Sequence, residues 1–457
     1  MSKINLIFLF LLLITVNKNF AQQNFMWKAG ISKVVITPDK PMWMAGYAAR
    51  TTPATGTYQE LWAKALVLED QAGRQSVLIT ADILGFPKKM SDRIRQALKQ
   101  KYGWDYSQII LNGSHTHSGP VLEDALYDIY PLDEEQLTLV KDYSRWLESA
   151  VIGLVDEAMA DMVAANLSAG SGVARFQVNR RNNSERDIIN QVALSGPNDH
   201  AVPVIKIEAP GGDLLGIVFG YACHPTVLDH YSWSGDFPGY AQIELERLYP
   251  GAVALFFQGA SGDQNPIPRR SLPLAKQYGK TLAAAVERVL EEEMTSLTAE
   301  IQTAYTEIPL ALSPAPSQAE LTRMANEQSG YMRRWAERML TEQTMGITPI
   351  SSYPYPLQIW QLGGQRIFNM GGEVTVAYAN ELKAAYGQNS FVMAYSNDVM
   401  GYIPSEVILE EGGYEGYSSQ MVYGLPSTWE KGIQQHILEA FDRLAADLGM
   451  VPNPSAD

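Results

Sequence analysis

The sequence predicts a mixed α/β fold, in which β-sheets are flanked by helices within a single domain. Apolar runs of strand length alternate irregularly with longer runs of helical periodicity. A composition of 46% hydrophobic and 19% charged residues is typical of a globular protein with its own core. The sequence contains no internal repeat, coiled-coil heptad or low-complexity tract that would indicate another class.

Residues 1–21 have the pattern of a secretory signal peptide. Lys3 precedes an apolar run over residues 4–16, and polar residues follow before Ala21. The run is too short to span a bilayer, and no other stretch of the sequence approaches that length. We therefore expect a secreted or periplasmic protein without a transmembrane segment, whose residues 22–457 form one domain.

Strands are predicted where β-prone apolar runs stop at turn-forming residues. Residues 210–213 and the Gly363-Gly364 pair each separate two such runs and are expected to be hairpin turns. The predicted strands are residues 61–68, 76–83, 108–112, 202–208, 214–222, 252–258, 357–362, 366–369 and 390–394.

Helices are predicted where apolar residues recur at helical spacing. Residues 313–356 contain one such helix and a connector rich in proline and tyrosine. Because strand signals resume directly afterwards, this stretch is expected to be an insertion that returns the chain to the same sheet. The predicted helices are residues 88–102, 133–167, 240–248, 272–297, 317–341, 374–386 and 428–448.

The charge and cysteine content restrict the partners and the means of stabilisation. A formal net charge of −15 argues against nucleic acid as a partner and against electrostatic docking on an anionic membrane. The expected partner is a small-molecule, lipid or glycan substrate. Cys223 is the only cysteine, so no intramolecular disulfide can form, and its place in an apolar run predicts a small buried residue rather than a nucleophile.

The first chemical signal is the pair His115 and His117, which follows the predicted strand at residues 108–112. Side chains two residues apart on an extended segment point the same way, so both imidazoles can face one cavity. Such a pair suits a metal ion, but His-x-His also occurs as hydrogen-bonded loop residues. The pair alone does not decide between these interpretations.

Four further predicted strands also deliver polar side chains just beyond their ends. In α/β folds the crevice outside the strand ends is where sites form, so this coincidence favours one shared site more than any single motif does. The residues that follow these strands are His224, Asp263 with Asn265, Glu373, and Asn397 and Asp398 with Tyr402.

With these residues in place, the chain resembles the neutral/alkaline non-lysosomal ceramidases, a family of zinc amidohydrolases. The resemblance covers nearly all of residues 22–457, in the family's order, and corresponds to the family's N-terminal catalytic domain. It rests on Met44-Ala-Gly-Tyr-Ala48, Leu61-Trp-Ala-Lys-Ala65, His115-Thr-His-Ser-Gly-Pro120, Asn179-Arg180, His224-Pro-Thr226, Gly235-Asp236 with Gly239-Tyr240, Gly262-Asp263, Gly372-Glu373, and Ser396-Asn397 with Gly401-Tyr402.

The resemblance implies that a zinc ion is held by His115, His224, Glu373 and Tyr402, with His117 beside the substrate. Two neutral imidazoles and a carboxylate are a common catalytic zinc set that leaves a position for a water of lowered pKa. A tyrosine ligand is unusual, and without the resemblance Tyr402 is equally well interpreted as a packed aromatic residue.

Two departures from the family bear on the chemistry. Where the family has a catalytic serine before a proline, this chain has Asn265 before Pro266. Asn265 has no ionisable hydroxyl, but its amide can donate a hydrogen bond to a developing oxyanion. The family's C-terminal β-sandwich domain is also expected to be absent, because no sequence for it follows the predicted helix at 428–448.

Several other polar residues have a functional and a structural interpretation. Asp236 and Asp263 could orient metal-bound histidines, or they could cap loops and helices. Asn179, Arg180 and the adjacent Arg181 could hold a substrate hydroxyl or carboxylate, or form a solvated turn. His230 could ligate a metal or face solvent, and the second is expected. Aromatic residues in the predicted loops suit a lipid chain or a sugar ring equally: Trp43, Tyr47, Trp233, Tyr353, Tyr355, Tyr414 and Tyr417.

The sequence thus predicts a secreted zinc-dependent hydrolase that cleaves an N-acyl amide bond through metal-bound hydroxide. His117 and Asn265 are expected to steady the oxyanion, Asp263 to support the catalytic site, and Asn179 and Arg180 to bind substrate. One alternative is a zinc esterase or deacylase acting on acylated carbohydrate. The other is a non-catalytic glycan- or lipid-binding protein that retains the fold.

Overall fold

The structure is a computed structural model that describes residues 27–126, 128–186 and 193–453. The predicted signal peptide lies outside the described residues. The strands are β1 Trp27–Val35, β2 Gly56–Thr57, β3 Trp62–Glu69, β4 Gln75–Ala81, β5 Ile109–Gly113, β6 Val163–Val173, β7 Gln177–Asn179, β8 Ala201–Glu208, β9 Leu214–Tyr221, β10 Ser232–Trp233, β11 Val253–Gln258, β12 Gln264–Pro266, β13 Thr295–Ser296, β14 Ile301–Ala311, β15 Ser352–Leu362, β16 Gln365–Met370, β17 Glu373–Val374, β18 Phe391–Met393 and β19 Tyr402–Ile403. The helices are α1 Lys88–Tyr102, α2 Glu134–Ala160, α3 Asp236–Leu248, α4 Leu272–Glu291, α5 Gln318–Glu327, α6 Gly330–Thr344, α7 Val376–Tyr386, α8 Glu406–Glu411, α9 Ser419–Val422 and α10 Ile433–Asp447.

Two mixed β-sheets lie between two layers of helices. The larger sheet has nine strands in the order β11-β9-β8-β6-β1-β3-β4-β5, with β13 paired to β6. The smaller sheet has the order β14-β15-β16-β18. Most neighbouring strands are antiparallel, but β4 and β5, β9 and β11, and β16 and β18 run parallel. The predicted mixed α/β fold with helices flanking the sheets is confirmed.

Successive side chains of a strand point to opposite faces of the sheet, and in both sheets the side chains on each face pack in an apolar core. In β3, Val67 packs in the core that contains α1 and α2, whereas the adjacent Leu66 packs between the two sheets. In β15, Ile359 packs with α7 and α10, and Trp360 packs between the sheets. Each strand therefore contributes to two apolar layers, which joins the sheets into one body.

Four strand ends meet at one edge of this body. The Asn112 side chain at the end of β5 accepts a hydrogen bond from the backbone N–H of Gln258, at 2.9 Å. The backbone N–H of Ala394, just after β18, donates to the carbonyl of Gln258 at 3.0 Å. Because β9 lies parallel to β11, its end reaches the same edge. The loops that follow β5, β9, β11 and β18 are thereby held together.

Two helix predictions extend too far. Residues 133–167 were predicted as one helix, but α2 ends at Ala160 and β6 begins at Val163. The start of β6 has helical composition, yet it pairs with β1 and β8, so sheet pairing overrides local propensity. The helix predicted over residues 272–297 likewise ends at Glu291.

The predicted insertion also has more structure than the sequence indicated. The helix predicted over residues 317–341 is two helices, α5 and α6, separated at Ser329. The insertion joins β14 to β15, which are antiparallel neighbours, so the chain does return to the same sheet. The sequence prediction missed β1, β6 and β14, which are partly exposed and therefore lack the continuous apolar runs of the buried strands. In the described part of the chain, no helix combines the length and apolarity needed to cross a membrane.

Candidate metal centre and active site

The two histidines after β5 face one point, although not for the reason that the sequence suggested. β5 ends at Gly113, and His115 adopts a φ of 62°, in the left-handed region that non-glycine residues seldom enter. The pair therefore lies on a turn rather than on an extended segment. The Nε2 atoms of His115 and His117 are 3.3 Å apart. Backbone strain of this kind is typical of functional sites.

The hydrogen bonds of His115 and His224 determine which nitrogen of each ring is available to bind a metal. Nδ1 of His115 lies 2.7 Å from the carbonyl of Leu84, and Nδ1 of His224 lies 2.6 Å from the carbonyl of Ser261. Because a carbonyl only accepts, each Nδ1 carries the proton, and each Nε2 is left with a lone pair. Both rings are thus prepared as ligands, oriented by backbone carbonyls.

Glu373 brings a carboxylate to the same point. Its Oε2 lies 3.1 Å from Nε2 of His115 and 2.9 Å from Nε2 of His224. The hydroxyl of Tyr423 donates to Oε1 at 2.5 Å, which leaves Oε2 facing the histidines. Glu373 lies in β17, whose parallel partner β19 places Tyr402 directly beside it.

Tyr402 is the fourth group at this point. Its hydroxyl lies 3.4 Å from Nε2 of His224 and accepts a hydrogen bond from the Arg180 guanidinium at 3.0 Å. The cation of Arg180 is placed to stabilise a negative charge on the phenol oxygen. Burial raises the pKa of Tyr402 well above its usual range, and Arg180 opposes this effect.

This donor set fits a tetrahedral metal ion. At zinc–nitrogen and zinc–oxygen distances of about 2.0–2.1 Å, ligand atoms of a tetrahedron are separated by roughly 3.3–3.4 Å. Three separations are close to that value: His115 Nε2 to Glu373 Oε2 at 3.1 Å, His224 Nε2 to Glu373 Oε2 at 2.9 Å, and His224 Nε2 to the Tyr402 hydroxyl at 3.4 Å. Nitrogen atoms of the buried group His115, His117 and His224 also lie within 4.8 Å of one another. These residues can therefore hold a metal, and His117 is near enough to take part.

The pKa values of Glu373, His224 and His117 favour binding of a cation. Burial opposes ionisation of Glu373, but the charges and hydrogen bonds of His115 and His224 outweigh it and hold the pKa of Glu373 well below its usual range. Burial lowers the pKa of His224 to about 4, with a contribution from Arg180. Burial, and then the neighbouring histidines, also lower the pKa of His117. The group therefore presents the Glu373 carboxylate, and His117 and His224 as neutral imidazoles, at neutral pH.

His117 is positioned by the segment before β2. Its ring packs edge-on against Tyr47, with centroids 4.8 Å apart, and its carbonyl accepts a hydrogen bond from Arg50 at 2.8 Å. Its Nδ1 is buried and has no hydrogen-bond partner in the described part of the chain. The ring is therefore fixed by packing, with Nε2 directed towards His115.

The predicted substrate-binding residues Asn179 and Arg180 form a network with Asp263. Asp263 accepts from the Asn179 amide at 2.8 Å and from the backbone N–H of Val376 at 2.9 Å. Arg180 pairs with Glu415 at 2.7 Å besides contacting Tyr402. Asp263 thus holds the segment that carries Arg180 against the start of α7. It makes no hydrogen bond to His115, His117 or His224.

Asn265 reaches the same network from β12. Its Oδ1 lies 3.4 Å from the Arg180 guanidinium, and no hydrogen bond among the described residues uses its Nδ2. It lines a cleft of about 630 Å³, together with Arg180, Arg269 and Tyr414. Of the described residues that line this cleft, only Ile267 and Tyr414 are apolar or aromatic. The cleft is therefore mainly polar.

Other candidates from the sequence lie apart from this group. Asp236 accepts from the backbone N–H groups of Leu228 and Phe237, at 2.8 and 2.6 Å, so it ties a loop rather than orienting a histidine. His230 packs against Tyr58. Cys223 is buried, as its sequence environment indicated.

Two residues of the site were not predicted. Tyr423 contacts Glu373, and the Tyr395 ring lies 4.3 Å from that of His115 while its hydroxyl contacts Ser261 at 2.9 Å. Tyr395 follows β18, so the strand-end pattern contained a signal for it. Tyr423 lies after the short helix α9, where no sequence pattern marked it.

Comparison with known proteins identifies the family. Residues 27–269 match the family model described as neutral/alkaline non-lysosomal ceramidase, N-terminal. The chain belongs to this family. The matched region of the ceramidase family includes His115, His117, His224 and Asn265, whereas Glu373 and Tyr402 lie beyond it.

Named ceramidases are similar in sequence over half of the chain. The neutral ceramidase of Pseudomonas aeruginosa is 26% identical over 254 residues, which cover 52% of this chain and 37% of that protein. Neutral ceramidase A of Dictyostelium discoideum is 26% identical over 247 residues, which cover 50% and 34%. The matched part thus spans about a third of the length of these relatives.

Solved ceramidase structures share the fold over a longer range. The crystal structure of neutral ceramidase from Pseudomonas aeruginosa has a TM-score of 0.71 at 20% identity, and the match covers 93% of this chain and 74% of that chain. A structure described as ceramidase complexed with C2 has a TM-score of 0.70 at 18% identity, covering 94% and 77%. The ceramidase-type fold therefore extends past residue 269, to the region of Glu373 and Tyr402.

Proposed function

We propose that this protein is an exported, zinc-dependent hydrolase that cleaves an N-acyl amide bond. The observation that carries the proposal is the convergence of His115 Nε2, His224 Nε2 and Glu373 Oε2 within 2.9–3.1 Å, with each Nδ1–H directed to a backbone carbonyl. Membership in a family whose relatives are named ceramidases supports the amide as the bond attacked. Export rests on the signal-peptide pattern of residues 1–21.

A zinc ion held by His115, His224, Glu373 and Tyr402 would supply Lewis acidity and lower the pKa of a water molecule. In the net reaction the C–N bond breaks, the acyl carbon gains the oxygen of water, and the amine leaves with a proton. We assign His117 to hold and move a proton at Nε2, which faces the same point as His115. We assign the free Nδ2 of Asn265 to donate to the developing oxyanion.

The metal requirement is tested on purified protein. Zinc content is measured, the metal is removed with a chelator, and turnover of a short-chain N-acyl amide is followed before and after zinc is added back. We expect about one equivalent of zinc and recovery of activity with zinc. Less than about a tenth of an equivalent, without recovery of activity, would contradict the proposal.

The cleft favours a polar substrate over a long lipid. Its lining includes Arg180, Arg181 and Glu185, and few of the described residues that line it are apolar. Binding of a long acyl chain grows with buried apolar area, at about 25 cal/mol per Å², and this cleft offers little such area. The insertion does not replace it, because Trp335 and Met339 are buried in a separate small core. We therefore propose a small polar N-acyl compound, with an O-acyl carbohydrate as the second candidate.

The substrate class is tested by comparing kcat/KM for short-chain ceramide, long-chain ceramide, N-acyl sugars and O-acyl sugars. We expect the acylated sugars to be cleaved better than long-chain ceramide. Efficient cleavage of long-chain ceramide, with the sugars untouched, would contradict the polar-substrate proposal. Tight binding of glycan or lipid without turnover at any pH would instead favour a non-catalytic role.

A further inference from the structure

A second cavity with several arginines lies beside the active site. It has a volume of about 250 Å³. We name it the arginine chamber, and the residues that define it here are Tyr47, Arg50, Thr226, Asp229, Arg269 and Arg270. Three arginines and Asp229 are among the described residues that line it, and Glu185 pairs with Arg269, so the chamber keeps an excess positive charge although the chain has a formal net charge of −15. A general affinity of this chain for anions is therefore not expected, and the positive charge is local.

Arg50 supplies a buried charge without a counter-ion. It is 5% exposed, and its guanidinium donates to the carbonyls of Ala45, His117 and His230 at 2.8–3.1 Å. Among the described residues it forms no ion pair with a carboxylate, and its Nε has no hydrogen-bond partner. Keeping a guanidinium charged away from water is costly unless an anion lies near. Arg50 therefore gives the chamber a fixed positive potential.

Arg269 and Arg270 are placed to contact a bound group directly. Arg269 uses its Nε for Glu185, at 3.2 Å, and a terminal nitrogen for Thr226, at 3.4 Å, so the other terminal nitrogen has no partner among the described residues. Arg270 is exposed and forms no ion pair or side-chain hydrogen bond within the described residues. Planar guanidinium groups bind carboxylate, sulfate and phosphate through paired hydrogen bonds.

Two residues that line the chamber, Tyr47 and Arg269, also contact or line the active site. The Tyr47 ring packs against the His117 ring, with centroids 4.8 Å apart, so a single aromatic ring separates the chamber from His117. Arg269 also lines the 630 Å³ cleft that contains Asn265 and Arg180. The cleft and the chamber therefore adjoin at Arg269.

We propose that the arginine chamber binds an anionic group of the substrate, so that the compound cleaved next to His117 carries a carboxylate, sulfate or phosphate. This inference rests on the proposed hydrolase function and specifies its substrate class. Arg269 and Arg270 would donate hydrogen bonds to the anion, and the buried positive charge of Arg50 would attract it. The group is recognised for its charge and oxygen atoms, and it remains intact during the reaction.

The test uses the zinc-loaded full chain and matched substrates that differ only in charge. N-hexanoyl-ethanolamine is compared with its O-phosphate and O-sulfate esters. We expect kcat/KM to be at least about tenfold higher for a charged member, mainly through KM, as for charge-assisted recognition. Arg270→Gln and Arg269→Gln should each reduce this charged-to-neutral ratio, and Arg288→Gln, which removes an exposed charge from α4, should not. An equal kcat/KM for charged and neutral members, or a ratio unaffected by both chamber variants, would overturn the proposal.

Binding measurements separate this inference from the proposed hydrolysis. The same three compounds and inorganic phosphate are titrated into the zinc-loaded protein by calorimetry. If none of the amides is cleaved but the charged esters bind more tightly than the neutral parent, and this depends on Arg270, the chamber proposal stands and the hydrolase proposal fails. If inorganic phosphate binds as tightly as the phosphate ester, the site recognises a free ion, and substrate recognition is overturned.

Discussion

The ring of His117 occupies the space that the missing side chain of Gly46 leaves open. A Cβ atom on Gly46 would lie 2.5 Å from both Cγ and Nδ1 of that ring, and Gly46 adopts a φ of +103°. Both the close approach and the backbone conformation require glycine. The segment that contains Gly46 and Tyr47 therefore determines where His117 lies.

Gly46→Ala should displace His117 and reduce kcat while zinc content stays the same. A misplacement of about 1 Å near reacting groups can cost about 100-fold in rate, so a loss of at least about tenfold is expected. Steady-state kinetics and metal analysis measure the two quantities. Gly73→Ala is the matched control, because Gly73 also has positive φ, at +77°, but a Cβ there has no neighbour within 4 Å. If both variants lost kcat equally, backbone strain rather than displacement of His117 would be the cause.

His224→Ala should abolish metal binding and activity together, because it removes one of the nitrogens that converge on Glu373. His117→Ala should retain the zinc and lose mainly turnover, by about 10²–10⁴-fold, as expected when a general acid–base is removed. Metal content of both variants is measured beside kcat. Equal loss of zinc in the two variants would show that His117 is itself a ligand, which its 3.3 Å distance from His115 permits.

Arg180→Gln should weaken zinc binding, because it removes the donor and charge that face the Tyr402 hydroxyl. Loss of a group that orients a ligand typically costs about 10–100-fold in metal affinity. Competition with a chromophoric chelator measures this change. Arg181→Gln is the matched control, since Arg181 pairs with the same Glu415 but makes no hydrogen bond to Tyr402. A similar loss of affinity in both variants would mean that Arg180 acts through Glu415 rather than through Tyr402.

Asn265→Asp should reduce kcat by about 10²–10³-fold, the usual cost of losing one oxyanion donor. The variant keeps the shape of the side chain and an oxygen for Arg180, but it removes the Nδ2–H donor. Asn265→Ser restores a shorter donor and should lose less. Steady-state kinetics on the preferred N-acyl substrate compares the three proteins. Full turnover in Asn265→Asp would exclude Asn265 as the oxyanion donor.

The sequence predicted those features that depend on local pattern and on side-chain type. The buried strands β3, β4, β5, β8, β9 and β11 were found within about two residues of their observed ends, since each is an apolar run bounded by turn residues. The hairpin turn before Leu214 and the candidate metal ligands at strand ends were found in the same way. The α2–β6 boundary was not, because β6 is defined by pairing with strands far away in the sequence.

The sequence by itself determined the fold class, the family resemblance and which residue types are available for metal chemistry. Only the tertiary structure decided how they meet. The left-handed turn at His115, the carbonyls that fix the tautomers of His115 and His224, and the contact of Tyr423 with Glu373 all join residues that no sequence spacing relates. The arginine chamber has the same origin, since Arg50 and Arg269 come from distant segments. Such sites follow from packing between elements, and packing depends on long-range contacts that local propensity does not encode.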